Sequence, residues 1–169
     1  MGYRSPEPLD ERHAVDGFSC GEPALDEWLT RYALVAQASR SARVFVATTD
    51  DEPTKVVAYY ALAMAQVEPD EATVRAMKGQ PRSRPVPAIL LARLAVASDH
   101  QRGGVGKGLL RDAMLRSLQA SENVGARVLL VHAKHDAAKA WYRQFGFEES
   151  PTDPLHLMLL MKDVAASVS

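Results

Sequence analysis

From Pro23 onward, apolar residues return at helical intervals: Leu25, Trp28, Leu29, Tyr32 and Val35 define one stripe, which predicts a first helix with Pro23 in its opening turn. Two β-branched or apolar runs follow, residues 43–49 and 55–67, separated by Asp50-Asp51-Glu52-Pro53. They predict a hairpin. Residues 68–78 predict a short helix, which the proline-bearing basic stretch 79–87 cannot continue, because proline removes a donor and fixes φ. The near-continuous apolar run 88–96 predicts a buried strand, and a glycine-rich turn follows it at residues 101–106. Val105, Leu109, Ala113 and Leu118 then mark the buried side of a helix ending near Gly125. A strand over 127–133, a helix over 136–144 and a last strand over 155–161 complete the pattern. Strands alternating with helices predict an α/β architecture around a mixed central sheet, with helices on both faces.

Length refines this picture to a single domain spanning residues 1–169, large enough to bury a core. The longest uninterrupted apolar run, residues 56–65, has ten residues. A membrane span needs roughly 18 or more. The polar, proline-bearing amino terminus does not read as a secretion signal, and Cys20 is the only cysteine, which excludes an intramolecular disulfide and suits a reducing compartment. Both features place the protein in the cytoplasm. The formal net charge of −1 conceals an asymmetry: residues 75–116 hold nine Lys or Arg against Asp99 and Asp112, a local charge of +7. Such concentration attracts polyanions, either nucleic acid or a phosphorylated cofactor, although a solvated basic helix face would read the same way.

The turn at 101–106, Gln-Arg-Gly-Gly-Val-Gly, is the sharpest chemical signal. Its glycines let the backbone turn tightly, and the free N–H groups and dipole of the new helix suit a pyrophosphate. The spacing matches neither the dinucleotide fingerprint nor a Walker loop. His132 and His135 lack a third ligand at metal-binding spacing and read as a strand-end core histidine and an exposed turn histidine, so no metal is expected. Cys20 reads as a buried turn residue rather than a nucleophile. Residues 88–96 contain no Asp or Glu, so the strand offers no general base. A lysine amine, with a pKa near ~10.4, would need one, whereas an α-amine, near ~8, is already substantially neutral.

The strand and turn, followed about 35 residues later by a strand and Ala137-Ala138-Lys139-Ala140-Trp141-Tyr142-Arg143-Gln144-Phe145-Gly146-Phe147, resemble the GNAT acetyltransferase superfamily. The resemblance implies acetyl-CoA as co-substrate. Its pyrophosphate would be held by Gln101, Arg102, Gly103, Gly104, Val105, Gly106 and Lys107, and its pantetheine arm by the backbone of Leu94, Ala95 and Val96. It also implies Tyr142 as the catalytic residue; taken alone, Tyr142 reads more readily as an aromatic packed beside Trp141. A narrower resemblance, carried by Phe18-Ser19-Cys20-Gly21, Leu25-Asp26-Glu27-Trp28-Leu29, Ala92-Arg93-Leu94-Ala95-Val96, residues 126–133 and residues 150–155, is to the acetyltransferase toxins of toxin–antitoxin pairs. Those enzymes acetylate the α-amino group of charged tRNA, arrest translation and are held inactive by a ribbon-helix-helix antitoxin. The resemblance therefore implies charged tRNA, that antitoxin and a second copy of the chain as partners. Arg82, Arg84, Arg93, Arg111 and Arg116 are the tRNA-binding candidates. One departure stands out: the family usually reads Gln-Gly-Arg-Gly-Leu-Gly, whereas here Arg102 precedes Gly103.

Two other functions fit the same residues less fully. A GNAT enzyme for a small amine or a protein amino terminus would give no reason for the +7 segment beyond the coenzyme phosphates. A non-catalytic acyl-CoA-binding or nucleic-acid-binding module would have no use for Tyr142.

Overall fold

The computed structural model describes residues 2–169. In chain order the elements are β1 (Glu7–Pro8), α1 (Pro23–Glu27), a π-helical turn (Trp28–Tyr32), α2 (Ala33–Ser39), β2 (Arg43–Ala47), β3 (Ala58–Val67), α3 (Val74–Met77), β4 (Val86–Val96), a 3-10 turn (Ser98–His100), α4 (Val105–Ser121), β5 (Val128–His132), α5 (Asp136–Arg143), β6 (Glu148–Glu149), β7 (His156–Leu160) and α6 (Met161–Val168). The strands form one seven-stranded sheet in the order β1-β2-β3-β4-β5-β7-β6. It is mixed: β4 and β5 run parallel, while β1–β2, β2–β3, β5–β7 and β6–β7 are antiparallel. Among the described residues no helix is long and apolar enough to cross a membrane.

The chain forms two compact units, one of residues 1–63 and 92–113, the other of residues 64–91 and 114–169. In the first, Leu9, Phe18, Leu25, Leu29, Val44, Val46, Tyr59 and Ala95 share one core. Burying each large side chain contributes about 1.5–3 kcal/mol. Tyr59 is fully buried, and its hydroxyl donates to the Leu25 carbonyl at 2.7 Å, which fastens α1 to β3. Tyr60 likewise donates to the carboxylate of Asp112 on α4. In the second unit Val67, Ala76, Met77, Val86, Val128, Leu130, Met158 and Leu160 form the core.

The first helix corrects the expected stripe. Leu25, Leu29, Ala33 and Gln37 are buried, whereas Tyr32 and Val35 are 53% and 70% exposed. The π turn accounts for this, because its wider i→i+5 winding stretches the repeat from the ordinary α-helical spacing to steps of four residues. Buried Gln37 is fully used: its Nε2 donates to the carbonyls of Leu9 and Val44, and its Oε1 accepts from the Val44 amide.

The predicted helix over 68–78 contracts to the single turn α3. The Thr73 hydroxyl caps its start by accepting from the Ala76 amide at 3.1 Å. Its far end is closed by Arg127, whose Nε donates to the Ala76 carbonyl at 2.6 Å and whose Nη2 donates to those of Lys78 and Arg75 at 3.0 and 3.3 Å.

Candidate active site

β4 pairs with β5 from Ala88 to Leu91, and its later residues, Ala92 to Val96, lie beyond that ladder. They belong to the first unit, where the amides of Ala97 and Ser98 donate to the carbonyls of Val57 and Ser19, each at 2.8 Å. The turn after the strand is braced by Gln101, whose Nε2 donates to the carbonyls of Val96 and Cys20 at 2.8 and 2.9 Å. The Gln101 side-chain amide nitrogen is thereby spent in holding the turn. α4 starts at Val105, so the amides of its first turn have no intrahelical acceptors and point out of the helix end. A cavity of about 200 Å³ adjoins them, lined by Gly103, Gly104, Val105, Gly108 and Leu109 from the turn and helix.

Tyr3, Arg4, Pro6 and Ala47 complete that lining, and sequence reasoning missed Tyr3 and Arg4. They arrive by long-range pairing: Tyr3 bridges Thr49, and the Arg4 amide donates to the Thr48 carbonyl at 2.9 Å. Nothing local in the amino-terminal sequence announces this, because the pairing depends on β2.

The turn takes up left-handed backbone at Arg102 (φ 68°) and Gly104 (φ 85°). The family's glycine–arginine order thus has a physical reason, since it puts glycine where this chain has Arg102. A non-glycine residue there costs about 1–2 kcal/mol, of which glycine's larger unfolded-state entropy returns roughly 0.5–1. Arg102→Gly is therefore expected to stabilise the fold by about 0.5–1 kcal/mol, raising Tm by about 1–4 °C. A lower Tm in thermal denaturation would show that the arginine side chain contributes more than its backbone costs.

In the second unit, Tyr142 sits on α5, whose position is set from several sides. His135 caps the helix, its Nδ1 accepting from the Ala138 amide at 3.1 Å. Lys139 and Arg143 reach Glu149 at 3.0 and 3.4 Å. Gly146, at φ 94°, turns the chain so that buried Phe147 packs edge-on against the Tyr142 ring, centroids 5.6 Å apart. Trp141 flanks Tyr142 at 5.0 Å. The Tyr142 hydroxyl has no hydrogen-bond partner among the described residues, and burial raises its pKa above the ordinary tyrosine value. It is a protonated, unspent donor.

The remaining candidates are distributed as follows. Arg93 stands in the first unit with its guanidinium 4.2 Å from the Trp28 ring centre, and burial lowers its pKa. Its charge is committed to that ring before any ligand arrives. Arg111 is exposed on α4 in the first unit, as is Lys107. Arg82 and Arg84, exposed on the loop before β4, and half-buried Arg116 belong to the second unit. His132 is exposed at the surface rather than part of the core: it stacks on His156 at 3.9 Å, and partial desolvation followed by the neighbouring imidazole lowers its pKa. The Cys20 thiol is pushed up to about 11 by burial, which keeps it protonated and non-nucleophilic at neutral pH.

Residues 40–149 match the family model described as an acetyltransferase (GNAT) domain. The whole chain is 47% identical to the tRNA-acetylating toxin of Mycobacterium tuberculosis over 167 residues, covering 99% of this chain and 98% of that protein. Among solved structures, AtaT complexed with acetyl-methionyl-tRNAfMet superposes with a TM-score of 0.88 at 25% identity, covering 98% of this chain and 99% of that one. An AtaT mutant bound to the C-terminus of the antitoxin AtaR and acetyl-CoA gives 0.81 at 23% identity, covering 98% and 97%.

Proposed function

The chain belongs to the GNAT acetyltransferase family, and from that premise we propose that it is an acetyl-CoA-dependent N-acetyltransferase toxin that acetylates the α-amino group of aminoacyl-tRNA and blocks translation. The observation that carries the reading is 47% identity, over nearly all of both chains, to a tRNA-acetylating toxin. Residues 1–169 act as one catalytic domain, since the family match runs through both compact units.

The residues present fit the coenzyme. The left-handed Gly104 leaves open space where a β-carbon would stand, the first turn of α4 offers its amides, and the Tyr142 hydroxyl is unspent. Acetyl-CoA, when bound, supplies the acetyl group as an activated thioester. The backbone donors of residues 102–107 hold its pyrophosphate, with Lys107 adding charge, while Leu94, Ala95 and Val96 align the pantetheine arm and polarise the thioester carbonyl. The α-amine of the aminoacyl group attacks without a dedicated base, because with a pKa near ~8 it is substantially neutral at physiological pH. Tyr142 donates a hydrogen bond to the departing sulfur.

Arg82, Arg84, Arg111 and Arg116 contact tRNA phosphates, with Arg93 holding Trp28 beside the substrate strand. The cytoplasm is the place of action. The protein is a homodimer, neutralised by a ribbon-helix-helix antitoxin encoded beside it; AtaT, bound to AtaR, supports the antitoxin. The function is tested by acetylation of aminoacyl-tRNA against a free amino-acid ester over a salt series. Phosphate contacts release counterions, so efficiency on tRNA should fall steeply with salt while that on the ester stays level. Reversing Arg82 and Arg84 to Glu should raise KM for aminoacyl-tRNA and leave acetyl-CoA affinity unchanged. Equal, salt-insensitive efficiency on both substrates would overturn the tRNA reading in favour of a small-amine enzyme.

A further inference from the structure

We propose that a second basic site, in the unit of residues 64–91 and 114–169, is a phosphate seat that grips the backbone of the tRNA substrate, at residues different from the tRNA candidates above. It rests on the tRNA reading and extends it.

The site is a cavity of about 550 Å³ lined by Arg75, Lys78, Arg127 and Lys162, with Pro87, Leu160 and Met161 supplying apolar wall. No carboxylate lines it. The four cations come from separate parts of the sequence: Arg75 and Lys78 flank the end of α3, Arg127 precedes β5 and Lys162 opens α6. Only the fold gathers them.

Their charges are not equivalent. Arg75 is neutralised by Asp163 at 2.7 Å and Glu148 at 3.2 Å. Lys78 and Lys162 have no ion-pair partner among the described residues. Arg127 is bound to three main-chain carbonyls and to no carboxylate, so its positive charge stays uncompensated while its plane is fixed. Those bonds use Nε and Nη2, which leaves the two N–H groups of Nη1 available. A guanidinium whose rotamer is already ordered loses little entropy on meeting a ligand, and its free Nη1 can donate a charge-assisted hydrogen bond to a phosphate oxygen. The ammonium groups of Lys78 and Lys162, lining the same cavity, add two further positive charges for an anion, and the apolar wall strengthens the field between them.

The volume exceeds that of a bare phosphate and falls within the roughly 300–1,000 Å³ range of small-molecule sites, enough for a phosphate with its attached ribose. The three uncompensated cations, Lys78, Arg127 and Lys162, favour the polyanionic RNA backbone over an uncharged nucleoside. Lysine and arginine here read charge and geometry rather than bases, so the contact is independent of tRNA sequence.

The experiment compares the full-length protein with its Lys78→Glu/Lys162→Glu and Lys78→Gln/Lys162→Gln variants; Arg127 is left in place because it also closes α3. Binding of fluorescent tRNA is measured by anisotropy over a salt series, beside acetyl-CoA calorimetry and circular dichroism. The Glu pair should raise Kd for tRNA by at least ~10-fold at low salt and flatten the log–log salt dependence by about 1.5 units, the loss of two phosphate contacts. The Gln pair should flatten the slope equally with a smaller rise in Kd. Acetyl-CoA affinity and turnover on a free amino-acid ester should not change. Inorganic phosphate should compete weakly with tRNA for the wild-type protein but not for the Glu variant; phosphate that binds the wild-type protein and not the Glu variant, yet displaces no tRNA, would make a free phosphorylated metabolite, not RNA, the ligand and would overturn the proposal. Unchanged tRNA affinity and slope in both folded variants would overturn it as well. So would variants that keep tRNA binding and lose only inhibition by the antitoxin, which would assign the cavity to an acidic peptide. A wild-type protein that binds tRNA through this cavity yet fails to acetylate it would refute the catalytic reading and leave the phosphate seat standing.

Discussion

Tyr142→Phe is expected to lower kcat on aminoacyl-tRNA by ~10²-fold or more while leaving Tm and acetyl-CoA affinity within experimental error of wild type. The separation follows from how the side chain is used. Its ring is held by edge-on contacts with Trp141 and Phe147, which phenylalanine reproduces, whereas its hydroxyl bonds to no described residue and contributes nothing to folding. The hydroxyl's role is also bounded by its acidity. An ordinary tyrosine at ~10 facing a thiolate near ~8.5 would transfer its proton uphill by about 2 kcal/mol, and burial raises Tyr142 further, so full transfer is disfavoured more strongly still. Tyr142 stabilises the departing sulfur as a donor that keeps its proton.

That assignment fixes a pH dependence. Because the folded pKa lies above the ordinary value, Tyr142 stays protonated at every pH below ~10 and adds no falling limb there. The rising limb of kcat/KM belongs to the substrate α-amine, near ~8, and should persist in Tyr142→Phe at reduced height. A falling limb near pH 9 that vanishes in the variant would show Tyr142 titrating as a proton donor, and a variant at near wild-type rate would reduce the residue to packing.

How much of this was legible from sequence depends on the range of the interaction. Apolar runs and helical periodicity located β2, β3, β4, β5, β7, α4 and α5 to within a few residues, since each buries surface that its own residues encode. The two-residue strands β1 and β6 were missed because pairing with a partner strand, not local pattern, makes them strands. The π turn was invisible for a related reason: a helical stripe is read at one fixed period, and one wider turn moves Tyr32 and Val35 from the core to solvent. In the site, the glycine turn was legible from its spacing, whereas Tyr142 stood out only through the resemblance to a known family and taken alone read as a packed aromatic. The brace from Gln101 to Cys20 and the arrival of Tyr3 and Arg4 beside Gly103 and Gly104 rest on contacts across the chain that no window captures. The same holds for the convergence of Lys78, Arg127 and Lys162.

Gly104→Val should abolish measurable acetyl-CoA binding, and two independent effects act in the same direction. At φ 85° a β-branched residue is forced into left-handed backbone, at a cost of about 1–3 kcal/mol that the turn can relieve only by changing shape. Such a change disturbs the amides of residues 102–107, whose common aim is what a pyrophosphate requires. The β-carbon itself meets no protein atom within 4 Å, so its methyl groups enter open space at the cavity lined by Gly103 and Gly104, where the ligand backbone has to approach. Gly104→Ala separates the two contributions: it keeps most of the strain but adds one carbon without branches, and should weaken binding by roughly 10-fold if strain of about 1–2 kcal/mol dominates. Calorimetry on both variants, with circular dichroism to confirm the fold, measures the effect. Wild-type affinity in Gly104→Val would remove the turn from the coenzyme site, whereas weakened binding in Val alone would assign the loss to steric blockade rather than to backbone shape.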